Sequence, residues 1–185
     1  MNTYLLYYNG FCEAEVASSL MFLEKKAICV SLEDRVYVSE EGQKFVPDTT
    51  VNNVNPDDVD LFIIPGGAPD YLFDNEKLKN FILELDKRKK YIAAICGGPY
   101  LLASYGVLDG RRCTGNGSGI IPGSENYDLF KNAEILSDSI VKDGNIITAI
   151  GSAFAELAVE LYGILNLYKD EKDREETYNW LKNIR

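Results

Sequence analysis

The chain is most informative at Ala93-Ala94-Ile95-Cys96-Gly97-Gly98-Pro99, where an apolar segment runs through small residues into the helix-like residues 100–105. This pattern is typical of a nucleophile elbow, a sharp strand-to-helix turn that presents a reactive side chain and tolerates only small neighbours. A helix that begins after Cys96 directs its N–H groups and the positive end of its dipole at the sulfur, which favours the thiolate. We therefore predict that Cys96 is a nucleophile.

The chain contains no histidine, so neither the chain nor a homo-oligomer of it can supply an imidazole base to Cys96. Catalysis by a Cys–His pair is excluded. Glu13 and Glu15 lie where the first predicted strand gives way to the first predicted helix. A carboxyl group buried beside Cys96 would have a raised pKa and could act as general acid or base. The residues alone do not choose between Glu13 and Glu15.

Composition limits the possible classes of protein. A length of 185 residues, 46% of them hydrophobic, predicts one domain over residues 1–185. The net charge of −10 argues against nucleic acid as a partner. No secretory signal or membrane-length apolar run is recognisable, so we expect a cytoplasmic protein without a membrane partner. The cysteines match neither a disulfide framework nor a metal site, and we interpret three of them as closer to structural than functional: Cys12, Cys29 and Cys113.

Apolar segments alternate with amphipathic ones, which predicts an α/β fold with a mainly parallel sheet covered on both faces. Three segments each follow a predicted strand: residues 10–15, residues 65–68 and the Cys96 elbow. They are therefore expected to meet at the edge of the sheet where the carboxyl ends of the strands lie. The glycine patterns match neither a P-loop nor a dinucleotide fingerprint. We expect backbone N–H groups to face a developing oxyanion beside Cys96, from Gly66, Gly67 and Gly97.

Further elements follow from periodicity and turn signals. Helices are predicted over residues 13–26, 72–89 and 153–167, and a short helix in the tail over residues 169–185. Hairpins are predicted to join residues 36–38 with 45–46, and residues 139–141 with 146–149.

Five segments together resemble the ThiJ/PfpI family of the class I glutamine amidotransferase-like superfamily. They are Gly10-Phe11-Cys12-Glu13-Ala14-Glu15, the strand and glycine turn at 60–67, the nucleophile motif at 94–99, and residues 106–112 and 143–149. The resemblance implies a flavodoxin-like three-layer α/β/α sandwich, a homodimer, and no metal or organic cofactor. It also implies that Cys96 is the nucleophile and Glu15 its partner carboxyl, with oxyanion donors at Gly66, Gly67 and Gly97.

Two departures from the family matter for function. The histidine that follows the nucleophile in protease-like members is Gly97 here, and the distal histidine of deglycase-like members falls by spacing on Asn116. Efficient peptidase activity is therefore not expected, and Asn116 becomes a candidate polar contact for substrate. Two functions stay open. One is a cysteine enzyme acting on a small carbonyl or amide, with glyoxalase-, deglycase- or amidase-like chemistry. The other is a stress-response protein whose cysteine senses oxidants without efficient turnover.

Overall fold

A computed structural model describes residues 1–184 of the chain. The helices are α1 (Ala14–Leu20), α2 (Glu76–Lys87), α3 (Gly98–Ser104), α4 (Phe154–Ile164) and α5 (Glu171–Leu181). The strands, in chain order, are β1 (Thr3–Leu6), β2 (Ile28–Ser31), β3 (Tyr37–Val38), β4 (Lys44–Phe45), β5 (Thr49–Thr50), β6 (Leu61–Ile64), β7 (Tyr91–Ile95), β8 (Arg112–Cys113), β9 (Glu134–Ile135), β10 (Ile140–Asp143) and β11 (Ile146–Ala149).

Seven strands form the central sheet in the order β10-β11-β7-β6-β1-β2-β5. All neighbouring pairs are parallel except β10 with β11, which form an antiparallel hairpin. Strands β1, β6 and β11 are buried along their whole length, because helices cover both faces of the sheet and leave no face for water. The fold is the predicted flavodoxin-like three-layer α/β/α sandwich. Both predicted hairpins are confirmed, as β3–β4 and β10–β11.

The first helix is shorter than the prediction of residues 13–26. In a longer helix the Phe22 N–H would donate to the Ser18 carbonyl. Here the Tyr162 hydroxyl replaces that bond, because it donates to the Ser18 carbonyl and accepts the Phe22 N–H. The Phe22 ring turns out of the helix and packs edge-on against Tyr162 and Trp180. A tertiary contact from α4 thus ends α1, and the local sequence carries no sign of it.

Helices α2, α4 and α5 lie within their predicted ranges, whereas α3 begins at Gly98, two residues before the helix-like stretch at 100–105. The helix predicted from residue 72 begins at Glu76 because the Asn75 side chain accepts the N–H of Leu78 and so caps the helix there. Its buried face is the predicted one, Leu78, Phe81, Ile82 and Leu85. The short helix predicted in the tail, within residues 169–185, is α5. Arg185, the last residue of that range, lies outside the described residues. Within residues 1–184, no helix is both long enough and apolar enough to cross a bilayer.

Candidate active site

Cys96 occupies the turn between β7 and α3, as a nucleophile elbow requires. Its φ of +55° is left-handed, a conformation that non-glycine residues adopt only where the surrounding structure enforces it. Two backbone hydrogen bonds hold it there: the Cys96 N–H donates to the Ala149 carbonyl at 2.9 Å, and the Cys96 carbonyl accepts the Asn116 N–H at 2.7 Å. The turn also needs small neighbours, since a β-carbon on Gly98 would lie 2.8 Å from the Ile64 carbonyl oxygen.

The carboxyl group at this thiol belongs to Glu15, in the first turn of α1. Its Oε2 accepts the Gly66 N–H at 3.1 Å. The carboxyl lies beside the Cys96 thiol, since a β-carbon added at Gly151 would be 2.7 Å from Oε1 of Glu15 and 3.1 Å from Sγ of Cys96. Both side chains are partly buried. Glu13 instead ends the preceding turn, where its N–H donates to Glu41. The local sequence pattern left Glu13 and Glu15 as alternatives, and Glu15 is the one that lies beside Cys96.

Burial raises the pKa of both members of the pair. The pKa of the Cys96 thiol is raised to about 12 by burial first, then by the charge and hydrogen bond of Glu15, against N–H groups that lower it. Burial also raises the pKa of Glu15, while its bonds to Cys96 and Gly66 oppose that rise. The expected effect of the helix end, which favours the thiolate, is opposed here, because burial and the Glu15 carboxylate raise the thiol pKa more than the nearby N–H groups lower it.

The three predicted oxyanion donors divide into two groups. The N–H groups of Gly67 and Gly97 lower the pKa of the Cys96 thiol. The Gly66 N–H instead holds the Glu15 carboxylate, so it is not free to face an oxyanion, which corrects the expectation for that residue. Gly66 is nevertheless essential to the packing, because a β-carbon there would overlap Oε2 of Glu15 and lie 2.5 Å from the β-carbon of Cys96.

Asn116 lies beside the elbow through its backbone. Its N–H binds the Cys96 carbonyl, and its own carbonyl accepts the Gly151 N–H at 2.8 Å. It adopts a left-handed φ of +64°, and its Oδ1 accepts the N–H of Gly117 at 2.8 Å. The Asn116 side chain, like that of Ser124, opposes the rise that burial causes in the pKa of Tyr100. Asn116 is thus at the site, with its amide oxygen already engaged.

Three residues at the site were missed by the reasoning from sequence. Gly151 follows β11, the strand beside β7, and a β-carbon there would lie 2.7 Å from Oε1 of Glu15. A glycine two residues after a predicted strand end was a usable signal for it. Tyr8 is buried and donates its hydroxyl to the carbonyls of Pro65 and Gly66. Glu41 reaches the start of α1 from the β3–β4 turn, and no sequence signal indicates that contact.

The remaining cysteines are less suited to nucleophilic chemistry. Cys113 is fully buried in β8, and burial raises its pKa to about 11. The Cys29 thiol contacts the Tyr7 hydroxyl at 3.1 Å within the sheet region. Cys12 lies near the site edge, but its thiol donates to the Glu41 carboxylate at 3.3 Å, and its pKa of about 12 is no lower than that of Cys96. Among residues 1–184, no three histidine, cysteine or carboxylate side chains are grouped as they would be around a metal ion.

Comparison with known proteins agrees with this geometry. The sequence profile of the DJ-1/PfpI family matches residues 1–162. An uncharacterised protein of Methanocaldococcus jannaschii is 33% identical over 138 residues, which is 72% of this chain and 63% of that protein. The deglycase PfpI of Pyrococcus furiosus is 33% identical over 120 residues, 64% of this chain and 69% of the enzyme. The chain thus spans a little under two thirds of the Methanocaldococcus protein, and 21% of a DJ-1 homologue of Arabidopsis thaliana.

Solved structures support the same fold. A ThiJ/PfpI family protein from Bacillus anthracis superposes with a TM-score of 0.84 at 21% identity, over 100% of this chain and 91% of that one. A DJ-1 superfamily protein from Salmonella typhimurium gives a TM-score of 0.80 at 24% identity, over 98% and 97% of the two chains. At these identities the likeness concerns the fold, and the sequence profile carries the family. The chain belongs to the DJ-1/PfpI family.

Proposed function

We propose that this protein is a cysteine-dependent enzyme that acts on small electrophilic carbonyl compounds, with Cys96 as nucleophile and Glu15 as the group that moves the proton. The observation that carries the proposal is the close packing of the Glu15 carboxyl and the Cys96 thiol against the same glycine, Gly151, at an elbow held in a left-handed conformation. Strained backbone and a thiol with a perturbed pKa beside a carboxyl are features of catalytic sites.

The first step is the addition of the thiol to an aldehyde. As Sγ of Cys96 bonds to the carbonyl carbon, the Glu15 carboxylate takes the thiol proton, so no free thiolate is needed beforehand. The carbonyl oxygen becomes an oxyanion next to the sulfur, close to the N–H groups of Gly67 and Gly97, which can stabilise it. Glu15, now a carboxylic acid, returns the proton to this oxygen and a hemithioacetal results.

With a dicarbonyl such as methylglyoxal, the hemithioacetal can proceed to product without an external oxidant. A hydrogen moves from the thiol-bearing carbon to the neighbouring carbonyl carbon, and the proton of the hemithioacetal hydroxyl moves to that carbonyl's oxygen. The hemithioacetal thereby becomes a hydroxyacyl thioester on Cys96. Water then cleaves the thioester to a hydroxy acid and free thiol. The sum is methylglyoxal plus water giving lactate. Glu15 is the titratable group placed to move these protons, because its raised pKa brings it closer to the working pH.

The relatives bear on substrate class. Proteins of Pyrococcus horikoshii and Pyrococcus furiosus that are 32% and 33% identical to this chain are named deglycases, which supports a carbonyl substrate. Efficient peptide hydrolysis is not part of the proposal, since an amine leaving group must be protonated and the chain has no histidine for that work. The raised thiol pKa also weighs against a dedicated peroxide sensor, because oxidation proceeds through the thiolate.

Steady-state turnover of methylglyoxal tests the proposal. Purified protein is expected to form lactate over many cycles, and Cys96→Ser is expected to abolish it. Cys113→Ser is the matched control, since it removes a buried thiol away from the site. If the protein shows no turnover while peroxide readily oxidises Cys96, the enzyme assignment fails and the sensor replaces it.

A further inference from the structure

Glu41 makes an unusual set of contacts for an exposed residue in a hairpin turn. Its Oε1 accepts the Cys12 thiol at 3.3 Å and the Ala14 N–H at 3.2 Å, and its Oε2 accepts the Glu13 N–H at 3.3 Å. The carboxylate therefore satisfies N–H groups at the start of α1 that have no partner within the helix. Desolvation raises the pKa of Glu41, but the N–H groups of Ala14 and of Glu41 itself, with the Ser39 hydroxyl and the Cys12 thiol, lower it to about 2.

The whole β3–β4 hairpin lies against the segment that leads into α1. The Gly10 N–H donates to the Val38 carbonyl, and the Glu40 N–H donates to the Phe11 carbonyl, both at 2.8 Å. The Val38 N–H donates to Oδ1 of Asn9 at 3.2 Å. Residues 9–14 are thus bonded to the hairpin along their length, and Glu15 is the next residue. Since α1 has only two turns and its Glu13 N-cap makes no side-chain capping bond, the carboxylate that fixes its start comes from outside the helix.

We propose that Glu41 is a positioning residue, whose carboxylate fixes the first turn of α1 and so holds Glu15 against Gly66 and Cys96. This inference rests on the proposed function only for its meaning in catalysis, because the position of Glu15 can be measured without turnover. Glu41 touches no reacting atom and acts through Glu15. The β3–β4 hairpin is accordingly part of the active-site framework, although it lies outside the main sheet.

A test must separate two effects of Glu41 on Glu15, namely its negative charge and its contacts that position α1. The groups that act on Glu15 are the Cys96 thiol from the elbow, the Gly66 N–H, and the charges of Glu40 and Glu41 from the hairpin. Glu40 is the matched control: it is exposed and adds a negative charge of the same kind, yet within residues 1–184 its side chain makes no hydrogen bond. A change at Glu40 therefore removes charge alone, and a change at Glu41 removes charge and contacts together.

The measurement is the rate of alkylation of Cys96 by iodoacetamide at a fixed pH of about 8. Tryptic cleavage places each of the four cysteines in a different peptide, with Cys96 in residues 91–111, so mass spectrometry reports its rate separately. Release of Glu15 from the thiol removes a charge and a bond that raise the thiol pKa. Each unit by which the pKa falls raises the alkylation rate about threefold to fourfold at a pH below the pKa, because intrinsic nucleophilicity falls in part with basicity.

Glu41→Gln is expected to raise the Cys96 rate at least threefold, and Glu40→Gln to change it by much less. In a Glu15→Gln background, Glu41→Gln is expected to add nothing. Glu41→Asp, which keeps the charge but shortens the reach, is expected to resemble Glu41→Gln and also guards against a Gln variant that fails to fold. Equal effects at positions 40 and 41, or an effect of Glu41→Gln that persists without Glu15, would overturn the inference. Absence of methylglyoxal turnover would count against the proposed function and leave this result unaffected.

Discussion

Gly151 is packed directly against the nucleophile: a β-carbon at position 151 would lie 3.1 Å from Sγ of Cys96, and 2.7 Å from Oε1 of Glu15. The loop after β11 thus closes the site from the side opposite Gly66, whose N–H binds the other carboxylate oxygen. Two glycines on neighbouring parts of the sheet edge leave just enough space for the thiol and the carboxyl to meet. The site is therefore sensitive to single carbon atoms at either position.

Gly151→Ala is expected to displace the Glu15 carboxylate, because the side chain is the most mobile of the atoms that the new methyl group would contact. Misplacement by about 1 Å can reduce turnover on the order of 10²-fold, and we expect a loss of that size with methylglyoxal. Gly117→Ala is the control, since nothing lies within 4 Å of a β-carbon there. Equal activity of the two variants would show that the close approach of Gly151 has no catalytic role.

Glu15→Gln is expected to make the Cys96 thiol more acidic. Burial remains, but the negative charge that raises the thiol pKa is removed. Alkylation of Cys96 at pH 8 should accelerate by threefold to fourfold for each unit of pKa lost. Glu13→Gln serves as the control and should leave the rate unchanged, as its side chain does not hydrogen-bond the thiol. A slower reaction in Glu15→Gln would mean that the carboxyl stabilises the thiolate instead.

The raised pKa of Glu15 predicts how the stability of the protein depends on pH. Because the pKa of Glu15 is raised in the folded state, its contribution is fully present below its ordinary pKa of 4.5 and is lost as the pH rises through the folded value. Gln does not titrate. The free energy of unfolding of Glu15→Gln, measured with urea, should therefore gain on that of the wild type as the pH rises from 4.5 towards 7. A difference that is constant over this range, or that shrinks, would contradict the raised pKa.

Asn116→His restores an imidazole beside the elbow. Histidine tolerates left-handed backbone better than most residues, although the bond from the Gly117 N–H to Oδ1 is lost. A well-placed general base contributes on the order of 10²-fold, and we expect a smaller increase in methylglyoxal turnover here. The gain should follow a pKa of about 6.5. Asn116→Gln, which cannot titrate, should show none, and a gain common to both variants would refute the proton-transfer explanation.

Much of this arrangement could be predicted from the sequence. Continuous apolar strands, glycine turns and the elbow around Cys96 are local signals, and they place three segments at one edge of a parallel sheet. The family pattern then selects Glu15. The end of α1 at Leu20 could not be predicted in this way, since it depends on the Tyr162 hydroxyl of a distant helix.

The electrostatics of the site were harder to predict than its location. A helix end after Cys96 suggests a thiolate, but the pKa depends on how deeply the thiol is buried and on whether a carboxylate faces it. Both are properties of the assembled fold. The role of the Gly66 N–H likewise follows from the position of Glu15, and the contacts of Glu41 from the docking of a short hairpin. The thiol pKa, the role of the Gly66 N–H and the contacts of Glu41 cannot be predicted from the sequence of the segment that carries each residue.

The most direct test of the central claim is to identify the covalent intermediate on the protein. Metal-free protein is mixed with methylglyoxal, quenched in acid within the first turnover, and its tryptic peptides are analysed by mass spectrometry. We predict a mass increase of one methylglyoxal on the peptide spanning residues 91–111, located on Cys96, that disappears as lactate forms and is absent in Cys96→Ser. Lactate formation at the wild-type rate by Cys96→Ser, or an adduct that persists without product, would contradict catalysis by the Cys96–Glu15 pair.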